Sequence, residues 1–152
     1  MNYVIGTFAA APLTLGAMAE FLDWQALPST KQLYVDAGDR VDHFIVTTNL
    51  AFKAAKLPLR VDSLTTVWTV LFEQPGRYHW MFQYYLRAEG LALSWVGTGR
   101  CLFSLDFTDA QYAQVTAALL AAGGKMQADG WWDPYDGFSL PTELLQALVG
   151  LR

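Results

Sequence analysis

"LRVDSLTTVWTVLFE", residues 59–73, is where helical spacing gives way to a run of β-branched and aromatic residues. Val61, Thr65, Val67, Thr69 and Leu71 set a period of two, so the run reads as an extended pair or one long strand. Pro58 closes whatever precedes it, and "QPG" at 74–76 turns the chain afterwards. Helical patterns lie on both sides, and this insertion of strand between helices decides the fold class.

Upstream, Leu33, Ala37, Val41, Phe44, Thr48, Phe52 and Ala55 recur in steps of three and four, the core stripe of a long helix reaching about Lys56. Ser29-x-x-Gln32 offers it a capping box, because the hydroxyl and the amide can each satisfy an orphan backbone donor. Before it, Pro12 suits the first position of a helix whose apolar residues are Leu13, Ala17, Met18, Phe21 and Leu22. Downstream, residues 77–90, "RYHWMFQYYLRAEG", return to helical spacing and end on Gly90, a left-handed C-cap. "LALSW" and "RCLFSLDF" read as short strands around the turn "VGTG". Thr108-x-x-Gln111 caps a further helix with Tyr112, Val115, Leu119, Ala122 and Met126 on its buried face. "GWWDPYDGF" is an aromatic loop, and Ser139 to Leu151 a short amphipathic helix.

This order predicts an α+β fold: a small antiparallel or mixed sheet of three to four strands packed against four to five helices. It cannot make a doubly wound parallel sheet, and neither G-x-G-x-x-G nor a Walker motif is present. Residues 1–28 form a Gly-Thr loop and connecting helix, and 29–152 a small α+β domain, together one compact unit.

With 53% hydrophobic and 16% charged residues, the chain is more apolar than an ordinary soluble domain, so part of its surface is expected to meet another protein surface. The net charge of −4, with ten Lys and Arg scattered singly, offers no stripe for a phosphate backbone, so nucleic acid is not an expected partner. Cys101 is alone and the two histidines, His43 and His79, are far apart in sequence, which gives no disulfide framework and no expected metal site. The first cation is Lys31, later than a signal peptide's positive n-region, and Pro12 and Gly16 interrupt the apolar segment before it. No membrane span and a cytoplasmic location are expected.

Three positions stand out chemically. Gly6 and Thr7 precede a helix start, where free N–H groups and the helix dipole favour an anion and a hydroxyl adds a donor; the alternative is a turn that Thr7 merely caps. Arg100 opens a strand after a glycine turn, placed for bidentate carboxylate recognition, or else for a sheet edge pairing with Asp106 or Glu89. The aromatic runs at 78–85 and 131–138 read as packing or interface surface. Trp68, Trp95 and Arg100 could also line a pocket for an apolar carboxylate.

Taken in order, "GTFAAAPLTLGAMAEFL", "LTTVWTVLF", "YYLRAEGLALSWVGTGRCLFSLDFTDAQYAQV" and "MQADGWW" resemble the carboxy-terminal region of class III pyridoxal-phosphate aminotransferases, close to the glutamate-1-semialdehyde aminomutase branch. The resemblance runs from about residue 5 to residue 132. It implies a dimer in which the Gly-Thr loop crosses to the neighbouring subunit and Gly6 and Thr7 help hold the cofactor phosphate. It also implies a small domain that closes over substrate, with Arg100 at the position of a carboxylate-binding arginine in some members.

The family's cofactor-anchoring lysine and its pyridine-binding aspartate belong to a large domain upstream of the Gly-Thr loop. Lys31, Lys53, Lys56 and Lys125 are not in that lysine's context, so no catalytic residue is assigned to this chain. The expectation is a small-domain portion of an aminotransferase or aminomutase, a transferase or isomerase that is active only with a complementary large-domain chain and pyridoxal phosphate. The three alanines at 9–11, where the family usually has polar residues, support a second reading. That reading is a non-catalytic module or relic that keeps the domain fold and self-associates through its aromatic surface.

Overall fold

The computed structural model describes residues 11–74, 76, 78–93 and 101–132. Within them the chain forms α1 (Pro12–Ala26), α2 (Pro28–Ala54), β1 (Leu59–Leu64), β2 (Val67–Phe72), α3 (Met81–Ala88), β3 (Cys101–Leu102) and α4 (Asp109–Ala128). The three strands make one antiparallel sheet in the order β1-β2-β3. This is the expected α+β architecture.

The decisive stretch is a hairpin. Leu64 pairs with Val67 across a two-residue loop, and the register runs back through Val61↔Val70 to Leu59↔Phe72. Odd positions of β1 therefore lie opposite even positions of β2. The core face is Leu59 and Val61 on one strand and Trp68 and Val70 on the other. The single alternation read from Val61 to Leu71 puts Val67, Thr69 and Leu71 on the wrong face, because the turn reverses the parity. Thr65 sits in the loop at φ +54°, a left-handed conformation that a β-branched residue adopts at a cost.

Asn49 on α2 anchors the outer edge of this hairpin. Its side-chain amide donates to the Val61 carbonyl at 2.9 Å and accepts from the Val61 N–H at 2.8 Å, so it serves Val61 as a neighbouring strand would. An edge strand's outward backbone groups are thereby satisfied by a helix side chain.

The helix α2 buries Ala37, Val41, Phe44, Thr48 and Phe52 as expected, whereas Leu33 and Ala55 are exposed. The Ser29 capping box does not form. Leu27 is the single residue between α1 and α2, Pro28 already occupies the first helical position, and Gln32 donates instead to Asp36 at 2.8 Å. The helix ends at Ala54; Lys56 turns left-handed at φ +54° and Leu57 N–H reaches back to the Phe52 carbonyl.

Phe44 is at the centre of the core. Its ring meets Trp68 at 5.4 Å and Phe103 at 5.1 Å edge-on, and Tyr112 at 5.6 Å, while Trp68 stacks on Phe103 at 4.9 Å. Phe44 meets Tyr112 and Thr48 meets Thr116 at the same sequence offset, so α2 and α4 run side by side in parallel. The α4 capping box is present as expected, with Thr108 N–H donating to Gln111 Oε1 at 2.8 Å, and the helix buries the five anticipated positions together with Gly123. Gly123 has no room for a side chain, since a Cβ there would come within 2.7 Å of Leu57.

Gly90 is left-handed at φ +81° and closes α3 as anticipated. The strand expected at 91–95 is not seen at its described residues, 91–93. Leu91 N–H is used to close α3 on the Leu86 carbonyl, and the Leu93 carbonyl accepts from Gln83 at 2.9 Å. Of the described residues of the strand expected at 100–107, only Cys101 and Leu102 pair with β2, because the chain leaves the sheet after Phe103 donates to Thr66 and turns towards α4. The expected tail helix at 139–151 lies outside the described residues. No helix among the described residues is long and apolar enough to cross a membrane.

Candidate functional site

Gly6, Thr7 and Arg100 all lie outside the described residues. What the structure places is the ground next to them: α1, which begins after the Gly-Thr loop, and β3, which begins at Cys101 immediately after Arg100. The two carboxylates considered as partners for that arginine both have other contacts. Glu89 pairs with Lys125, and Asp106 accepts from the Ser104 hydroxyl, the hydrogen bond that chiefly holds its pKa below the ordinary value.

The helix α1 forms for local reasons. Pro12 pre-sets the first turn, and good helix formers follow until Leu27 leaves the helical conformation ahead of Pro28. Its sequence is apolar nearly all round, with Glu20 and Asp23 as its charges, yet none of its residues is buried. Leu13 is 85% exposed, Met18 58%, Phe21 50% and Leu22 52%. The exposed apolar surface continues onto Leu33, Tyr34 and Val35 of α2. A helix that is apolar around its circumference normally lies inside a larger core. The periodicity of Leu13, Met18, Phe21 and Leu22 found the helix correctly; only the tertiary structure reveals that none of its stripe is buried among the described residues.

Lys31, Lys53, Lys56 and Lys125 are all exposed, whereas an amine nucleophile requires desolvation or a neighbouring cation to lower its pKa. These residues do not fit a covalent site for pyridoxal phosphate. His43 is exposed; His79 is half-buried, stacked on Phe72 at 4.0 Å, and burial lowers its pKa. Tyr85 donates to Asp129, and this hydrogen bond is the main cause that raises its pKa. No three His, Cys, Asp or Glu side chains come together as a metal site among the described residues. Trp68, considered as the wall of a carboxylate pocket, is instead a core residue, 3% exposed and sandwiched by Phe44 and Phe103.

No protein-family model and no curated protein matches the chain. Among solved structures it is similar to a transaminase with PLP bound, at a TM-score of 0.65 and 18% identity, over 85% of this chain and 31% of that one. The chain therefore spans less than a third of that transaminase's length. The arrangement of α1 to α4 around the small sheet is a fold found within a PLP-bound transaminase.

Proposed function

We propose that this chain is the small-domain portion of a class III pyridoxal-phosphate aminotransferase or aminomutase of the glutamate-1-semialdehyde aminomutase-like branch, working with a lysine-bearing large domain that these 152 residues do not contain. The observation that carries the reading is α1: an apolar helix with no buried residue, leading into a fold otherwise found within a PLP-bound transaminase. Such a surface is what a small domain presents to its large domain.

In this reading the chain binds and encloses. Gly6 and Thr7 offer backbone N–H groups and a hydroxyl to the cofactor phosphate of the neighbouring subunit, just ahead of the α1 N-terminus. Arg100 holds a substrate carboxylate through two parallel N–H donors. The strip from Leu13 to Leu27 seats the domain and excludes water from the boundary. When bound, pyridoxal phosphate supplies an electron sink for amino-group transfer. The expected assembly is a cytoplasmic dimer.

The test is co-expression of this chain with a lysine-bearing large domain of a class III aminotransferase. Co-purification, cofactor retention that falls in Thr7→Ala, and amino-group transfer from a simple amino acid are the expected results. Covalent attachment of pyridoxal phosphate to a lysine of this chain alone, trapped by borohydride, would refute the reading.

A second reading is a non-catalytic module that self-associates through the same face. It is favoured by the three alanines in the loop and by the completeness of the small core around Phe44 without any large domain. Self-association that persists with the large domain present, and no cofactor retention, distinguishes it.

A further inference from the structure

We draw no further inference here: the strongest candidate, the groove of about 670 Å³ between α2 and α4, carries none, because its two donors without a partner among the described residues, Arg40 Nε and the Tyr112 hydroxyl, are sealed from solvent and nothing in the structure shows what covers the groove.

Discussion

The exposed face of α1 makes a prediction in which stability and association separate. Replace Met18→Glu together with Leu22→Lys: the new side chains are good helix formers and fall at i and i+4 in the favourable order, so the helix itself is retained. Because α1 has no buried residue, the unfolding free energy should move by no more than about 0.5 kcal/mol. Association is different. Met18 is 58% and Leu22 52% exposed, so about half of each side chain remains to be covered by a partner. Full burial of such a side chain is worth about 1.5–3 kcal/mol, which leaves about 1 kcal/mol each, or about 2 kcal/mol for the pair before the charges' own desolvation. That is a dissociation constant about thirtyfold weaker or more. Urea unfolding followed by circular dichroism measures the first quantity. Sedimentation equilibrium over a concentration series measures the second, on the chain alone and with the proposed large-domain partner. A loss of stability above about 2 kcal/mol would mean that α1 packs into the core. Equal sedimentation of parent and variant would mean that this face covers nothing.

Three further perturbations test the fold. Asn49→Ala removes both hydrogen bonds to Val61 and leaves two backbone groups of the β1 edge without partners, which should cost about 2–3 kcal/mol in urea unfolding at an unchanged m-value. Thr65→Gly relieves a β-branched residue held at φ +54° and should raise stability by up to about 1 kcal/mol, with a lower midpoint counting against that strain. His79 has a pKa below its ordinary 6.5 because burial disfavours the charged ring, so the unfolded chain takes up the proton first as pH falls. Its contribution is constant above the unfolded value and is lost as pH drops from there to the folded value. Unfolding midpoints of the parent minus those of His79→Gln, compared over that window, should show the difference shrinking with acid; a flat difference contradicts it.

Much of the architecture was legible because periodicity encodes burial directly. Tyr112, Val115, Leu119, Ala122 and Met126 predicted the buried face of α4, and the Thr108–Gln111 capping box marked its first turn. Gly90 likewise announced the end of α3, since few other residues take a left-handed C-cap readily. Short-range rules failed where a neighbour in space intervened. Ser29 lost its cap to a junction one residue long, and residues 91–93 lost their strand to bonds with Leu86 and Gln83. The candidate site was legible only as chemistry: Gly6, Thr7 and Arg100 fit a phosphate and a carboxylate, and lie outside the described residues. Arg40 and Tyr112 gave no signal of their own, because an arginine in a helix and a tyrosine in a core stripe are ordinary until Arg40 Nε and the Tyr112 hydroxyl are found buried without a partner among the described residues.

By itself the sequence determined the class of fold, the approximate places of α1, α2, α3 and α4 and the kind of residues that face inward, since those follow from local propensity and the repeat of apolar side chains. Which strand face meets the core, which helix is left uncovered and which polar groups lack partners were decided only by the tertiary structure. Each of these depends on contacts between residues far apart in the chain: the hairpin reverses parity, Asn49 reaches Val61, and α2 lies parallel to α4.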